Sequence, residues 1–220
     1  MNFKAAIFDM DGTLVDSLML WDVMWEALGR KFCNDPGFRP TLEDDKAVRT
    51  VTLKAAMELI HQRYHMGESG EELLRIAEAM MKEFYATKVQ LKPGVLEWLK
   101  YCKAQGVRMC IASATVTELV RLAMEHCGIE SYFDALFSCG DIGKGKDEPD
   151  VFLQVLEYLG TRAEETCVFE DSLVAIQTAV NAGFQTVAIY DRFNYGQEQM
   201  RAIATEYIAE GESLTRLIKT

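Results

Sequence analysis

Asp9 and Asp11 stand two residues apart directly after the apolar run Lys4–Phe8 (KAAIF). Glu170 and Asp171 are adjacent directly after a second run, Cys167–Phe169. Both runs are short and continuously apolar, the pattern of strands buried on both faces. Thr13 lies just beyond the first aspartates and Ser113 follows the run Arg108–Ala112. Lys146 follows Ala135–Ser138 across a glycine-rich loop. In an open parallel sheet, ligands bind beyond the carboxyl ends of the strands. Four such ends supply four carboxylates, two hydroxyls and one ammonium. Carboxylates at close range repel one another strongly. A divalent cation relieves that repulsion, and an all-oxygen ligand set suits Mg²⁺ rather than zinc.

These groups meet only if the elements around them bring the strand ends together. From Ser17 to Phe32, Leu18, Trp21, Trp25 and Leu28 recur at spacings of three and four, predicting a helix. Asn34–Pro40 is a dense turn cluster. Thr41 with Asp44 resembles a capping box, Asp replacing the usual Glu or Gln, and should open a second helix running towards Tyr64. A break at Met66–Gly70 precedes a third helix, Glu71–Tyr85, with Leu73, Leu74, Ala77, Met80, Met81 and Phe84 on one face. After Pro93-Gly94 the rhythm changes. Helices at 94–105, 116–126, 150–159 and 172–182 alternate with strands at 108–112, 135–138, 167–169 and 186–189. A last helix and a short Tyr207-Ile208 run follow. Gly128 and Gly183 close two of the helices. The alternation predicts an α/β fold: a doubly wound parallel, Rossmann-like sheet core with an inserted all-helical cap subdomain. The core takes residues 1–16 and 87–220, the cap 17–86.

Composition narrows the partners. A chain of 220 residues accommodates one core domain and a smaller lobe. Lys plus Arg is 23 against 34 for Asp plus Glu, a net charge of −11. No basic run provides the face that a nucleic acid requires. No stretch reaches the roughly 18 apolar residues of a membrane span. The apolar N-terminal run is too short for a signal peptide. A cytoplasmic protein without nucleic-acid or membrane partners is expected, a monomer, with a dimer as the alternative. The closest of the six cysteines are eight residues apart, so no zinc spacing exists and reduced, mostly buried thiols are expected.

Asp9-Met10-Asp11-Gly12-Thr13-Leu14-Val15-Asp16-Ser17 resembles the first motif of the haloacid dehalogenase superfamily of phosphotransferases. Ile111-Ala112-Ser113-Ala114-Thr115 resembles its second motif, and Gly145-Lys146-Asp147-Glu148-Pro149-Asp150-Val151-Phe152 its third. Val168-Phe169-Glu170-Asp171-Ser172 with Ala182-Gly183 resembles its fourth. Order and spacing match over essentially the whole chain, and the insert resembles the family's helical cap. The resemblance implies Asp9 as the nucleophile that becomes an aspartyl-phosphate. It implies Asp11 as general acid for the leaving alcohol and then base for water. Ser113, Ala114 and Lys146 would hold the phosphoryl oxygens. Mg²⁺ would take the Asp9 carboxylate, the Asp11 carbonyl and Asp171, with Glu170 a ligand or a support behind the ligands. Asp16 and Ser17 would form the hinge, and cap closure would exclude water. Two positions depart from the pattern: Asp147 replaces a common proline, and Ala175 a common glycine.

The substrate implied is a small phosphomonoester such as a sugar phosphate. A phosphosugar mutase of the β-phosphoglucomutase type is the first alternative. Its early-cap histidine has no counterpart in Leu18-Met19-Leu20-Trp21-Asp22. A non-catalytic module that binds Mg²⁺ and phosphate is the second, and the presence of both Asp9 and Asp11 argues against it. Asp11 also argues against dehalogenation, which does not need it. Gly140-x4-Gly145-Lys146 nearly spells a nucleotide-binding loop, but Asp147 stands where Ser or Thr is required. His61 and His65 lack the glutamate of a zinc helix and read as surface residues. Trp21 and Trp25 read as cap packing, Met80 and Met81 as core filler, and Lys144 as a solvated charge. Arg49 is a weaker candidate for contact with a phosphate.

Overall fold

The computed structural model describes residues 3–49 and 51–219. In chain order the elements are β1 (Ala5–Phe8), β2 (Val15–Asp16), α1 (Leu20–Phe32), α2 (Leu42–Val48), α3 (Leu53–Tyr64) and α4 (Gly70–Thr87). Then come β3 (Gln90–Leu91), α5 (Val95–Ala104), β4 (Arg108–Ser113), α6 (Thr117–Cys127), β5 (Ala135–Ser138), α7 (Cys139–Ile142) and α8 (Asp150–Leu159). The chain finishes with β6 (Thr166–Glu170), α9 (Leu173–Asn181), β7 (Gln185–Ile189), α10 (Gln197–Ile203) and β8 (Glu206–Ile208). It divides into two compact units, Met1–Leu18 with Val89–Thr220, and Met19–Lys88. Each junction lies two residues beyond the place where the sequence pattern changes.

The larger unit is built on a six-stranded parallel sheet of order β5-β4-β1-β6-β7-β8. The chain winds outward from β1 to β4 and β5, then returns to β6 on the other side of β1 and winds the opposite way. That reversal is the topological switch point, where crevices open at the strand ends. Register fixes which ends meet. Phe8 lies beside Ile111 of β4 and Phe169 of β6. Asp9 and Glu170, the next residues, and Ser113, two beyond Ile111, therefore emerge together at one edge.

Alternation along the buried strands divides the core. Ile7, Cys110, Ala112 and Val168 pack against Val151, Phe152 and Val155 of α8 and Ala175 and Ala179 of α9. Phe8 and Phe169 point the other way and stack with ring centroids 4.4 Å apart, and Trp98 of α5 lies 5.9 Å from Phe169. Each such large apolar side chain contributes roughly 1.5–3 kcal/mol on burial. Ala175 is one of these packed residues, so its replacement of glycine is accommodated in the core.

The smaller unit, 19–88, is built of four helices, α1–α4, joined by turns, with no strand among its described residues. Met24, Trp25 and Leu28 of α1 pack with Met57 and Ile60 of α3 and Leu73 and Ala77 of α4. Trp21 packs at the edge of this cluster with Met80, so these side chains serve packing as expected. One expectation fails. Thr41 does not open a continuous helix to Tyr64; two helices, α2 and α3, replace it. The β-branched Val51-Thr52 pair disfavours helix, and the Thr52 hydroxyl accepts from the Ala55 N–H to start α3 anew. Thr50 lies outside the described residues. The first helix begins at Leu20 rather than Ser17, because Ser17 is occupied elsewhere.

Two small elements escape the sequence pattern. Val15–Asp16 and Gln90–Leu91 form an antiparallel ribbon at the point where the chain leaves and re-enters the larger unit. The four-residue α7 follows β5 directly. Both are too short for any periodicity to show.

Candidate active site

Asp9 is held in place by its backbone: its N–H donates to the Phe169 carbonyl at 2.9 Å, continuing the β1–β6 ladder. The chain then turns sharply. Leu14 and Val15 N–H both donate to the Met10 carbonyl, and Gly12 adopts φ +79°. Only glycine fits there, since a Cβ on Gly12 would lie 2.0 Å from Asp171 Oδ2. The turn thus presses the first motif against the fourth.

Asp9, Glu170 and Asp171 are all buried, with ligand oxygens within 4.8 Å of one another. Lys146 is the ammonium among them. It donates to Asp9 Oδ1 and to Glu170 Oε2, the latter at 2.7 Å. Glu170 Oε1 accepts from the N–H groups of Asp171 and Ser172, each at 3.2 Å. Both Glu170 oxygens therefore already hold protein donors. Asp171 accepts from the Thr13 hydroxyl at 2.8 Å and from the Asn194 amide.

Burial, Glu170 and Asp11 raise the Asp9 pKa to about 8, against the pull of Lys146. Burial, with Glu170 and Asp9, likewise raises Asp171 well above the usual carboxylate range. Burial opposes the charged form of Lys146, but the attraction of Asp9 and Glu170 outweighs it and its pKa is raised. Three buried carboxylates around one ammonium are a surplus of negative charge. A hard divalent cation fits this donor set, since oxygen ligands and uncompensated charge are what Mg²⁺ requires.

Asp11 lies outside the acidic triad. Its Oδ1 accepts from Ser17 at 2.6 Å and its Oδ2 from Thr115 at 2.7 Å. Ser17 is thereby committed to the carboxylate, which is why α1 starts later than its periodicity suggests. Thr115 belongs to the loop that carries Ser113, whose hydroxyl accepts the Thr115 N–H at 3.0 Å. Ser113 is buried and Ala114 exposed at the end of β4. All of the expected site residues but one thus line the carboxyl edge of β1, β4 and β6. Lys146, from the loop before α8, reaches in to join them.

Several rival readings resolve on contacts. Lys144 pairs with Asp150 at 2.8 Å as an exposed loop charge. His61 Nδ1 engages the Met66 carbonyl, and His65 ends α3 with φ 54°. Arg49 pairs with Asp45 at 2.9 Å and lies over the Trp21 ring. All six cysteines are free, and burial pushes the Cys102 and Cys110 thiols up to about 12. No helix among the described residues is long and apolar enough to cross a membrane.

Asn194 was absent from the sequence expectations, as were Lys92 and Asp191, which pair at 2.8 Å. The signal was available. The segment Asp191–Asn194 follows β7 and lies at the same sheet edge, so the strand-end rule extends to a fifth strand.

A doubly wound parallel sheet with buried carboxylates and a lysine at its switch point places the protein in the Rossmann-like α/β class. The profile of the haloacid dehalogenase-like hydrolases matches residues 6–189, and the chain belongs to that family as a phosphatase-type enzyme. It is 26% identical over 216 residues to the phosphorylated carbohydrates phosphatase of Thermotoga maritima, covering 97% of this chain and 98% of that one. It is 28% identical to hexitol phosphatase B of Escherichia coli, covering 84% and 82%. CbbY from Rhodobacter sphaeroides, crystallised with phosphate, shares the fold at a TM-score of 0.75, with 20% identity over 93% of each chain.

Proposed function

We propose that the chain is a Mg²⁺-dependent phosphatase acting on a small phosphomonoester, in the cytoplasm, through an aspartyl-phosphate on Asp9. The observation that carries this reading is the placement of Asp9. A buried carboxylate at the end of the central strand faces two further carboxylates at the neighbouring strand end, set by sheet register, and an ammonium brought in by the loop before α8.

Lys146 anchors one Asp9 oxygen and aims the carboxylate. An Asp9 oxygen forms a bond to phosphorus as the bond to the substrate's alcohol oxygen breaks. Asp11 gives its proton to the departing alkoxide. It then takes a proton from water as that water attacks phosphorus, which breaks the acyl-phosphate bond and regenerates the Asp9 carboxylate. Ser113, the Ala114 backbone and Lys146 hold phosphoryl oxygens as charge develops. Ser17 and Thr115 hold the Asp11 side chain in a defined place between these two proton transfers. Asp9 and Asp171 would ligate Mg²⁺, which neutralises phosphoryl charge when bound. Glu170, which accepts from Lys146 and from the Asp171 and Ser172 N–H groups, would be a further ligand or a support behind the ligands. Sugar and sugar-alcohol phosphates are the favoured substrates, since the relatives named above include phosphatases of such compounds.

Phosphate release from a panel of phosphomonoesters, with Mg²⁺ and with EDTA, tests the reading. β-Glucose 1-phosphate belongs in the panel, with glucose 6-phosphate assayed in parallel. Release that requires Mg²⁺ and is lost by a thousandfold or more in a folded Asp9→Asn variant supports it. Isomerisation without net release would make the enzyme a mutase, and residual turnover above about a thousandth would remove Asp9 as nucleophile.

A further inference from the structure

Asp171 is buried, yet neither of its oxygens touches Lys146. Its Oδ1 accepts from the neutral Thr13 hydroxyl and its Oδ2 from the neutral Asn194 amide. The same Asn194 Nδ2 also donates to the Asp171 carbonyl at 3.1 Å. Both targets are acceptors, so the nitrogen of the amide must face them. Gly12 closes a further side of the carboxylate.

The loop carrying Asn194 is braced well beyond what a surface turn needs. Asn194 N–H donates to the Asp191 carbonyl at 3.1 Å, and Phe193 N–H to Asp191 Oδ1 at 2.9 Å. The Gln197 amide donates to the carbonyls of Asp191 and Asn194, at 2.9 and 3.2 Å. Tyr207 in turn donates to Gln197 Oε1 at 2.9 Å. Asp191 Oδ2 pairs with Lys92, which also donates to the Tyr190 carbonyl at 3.0 Å. Their side chains are only 3% and 14% exposed. A buried ion pair is weak evidence of stability, because desolvation offsets its attraction. Here the pair fixes the loop from which Asn194 reaches Asp171.

We propose that Asn194 is a positioning residue that fixes the Asp171 carboxylate for the divalent cation, with the Lys92–Asp191 pair as its strut. The inference rests on the reading of Asp171 as a Mg²⁺ ligand. A carboxylate turns easily about its terminal torsion. Donors on both oxygens remove that freedom. These donors are neutral, so they orient the carboxylate without bringing the competing positive charge that a lysine in place of Asn194 would.

Calorimetric titration of Mg²⁺ alone into the full chain, with no substrate present, tests this. Wild type binds Mg²⁺. Asn194→Ala weakens binding about tenfold or more, the usual scale for a group that orients a metal ligand. Its melting temperature in EDTA stays within about 3 °C of wild type. An unchanged Mg²⁺ affinity in a folded Asn194→Ala overturns the proposal. If that variant does not fold, Gln197→Ala loosens the same loop and should weaken Mg²⁺ severalfold, and unchanged affinity there overturns it equally. Wild type that fails to bind Mg²⁺ overturns the metal reading itself, a result distinct from a silent variant.

Discussion

Removing divalent metal should make the fold lose stability as the pH rises, the reverse of ordinary acid denaturation. The cause is Asp9, whose pKa of about 8 in the folded protein compares with 3.8 when exposed. Between those values the native state holds a proton that the unfolded chain has released. The contribution is full below 3.8 and is lost as the pH climbs through about 8. Each pH unit of that interval is worth about 1.4 kcal/mol. The whole span is therefore about 6 kcal/mol as a ceiling, and a few kcal/mol after the buried charges relax. Asp171, also raised, acts in the same direction. Lys146 stays charged throughout the window. Glu165, lowered to about 2, contributes no slope there. Bound as proposed, Mg²⁺ would hold Asp9 ionised, so it should flatten the slope and restore stability by about 2.7 kcal/mol at a hundred times its dissociation constant. Urea unfolding followed by circular dichroism, from about pH 5 to about pH 8 in EDTA and in Mg²⁺, reads this directly. Asp9→Asn removes the titrating group and should level the EDTA curve. EDTA stability that is flat or rises with pH, or a slope that survives Asp9→Asn, would refute the argument.

Two further outcomes follow from packing. Gly12→Ala should cost more than about 3 kcal/mol, from left-handed strain and a Cβ forced onto Asp171. Gly106→Ala, at φ +72° with nothing within 4 Å of its Cβ, should cost only the strain, about 1–2 kcal/mol. Equal losses in urea unfolding would remove the clash from the account. Tyr64→Phe should cost about 1.5–3 kcal/mol at neutral pH. The Tyr64 hydroxyl accepts from Thr41 N–H and donates to Asp44 Oδ2, each at 2.7 Å. The hydrogen bond from Tyr64 is the main cause that holds the Asp44 pKa below its ordinary value. Its stabilisation is present above the ordinary carboxylate range and is lost as the pH falls through the lowered value. The gap between variant and wild type should therefore narrow in acid to the share carried by the Thr41 N–H, and a gap that stays constant with pH would show that Asp44 is not involved.

The sequence by itself determined the order of elements and which side chains gather at the strand ends. Short continuous apolar runs such as Ala5–Phe8, too short for a buried helix, read as strands buried on both faces. Helices with a clear face and a glycine stop, such as α6 before Gly128, end where local chemistry ends them. Reading strand ends in a parallel sheet then found Asp9, Ser113, Glu170 and Asp171 without any contact being known. Tertiary structure decided what local pattern does not encode. The break between α2 and α3 depends on a cap at Thr52 competing with a continuous apolar periodicity. The ribbon of Val15–Asp16 with Gln90–Leu91 joins segments some 75 residues apart, a pairing set by the fold around it. The commitment of Asp11 to Ser17 and Thr115 is likewise a matter of three dimensions. So is the reach of Asn194 to Asp171 across 23 residues of chain. Side-chain hydrogen bonds between distant segments leave no periodic trace in a sequence, because they depend on where folded strands end rather than on what lies next along the chain.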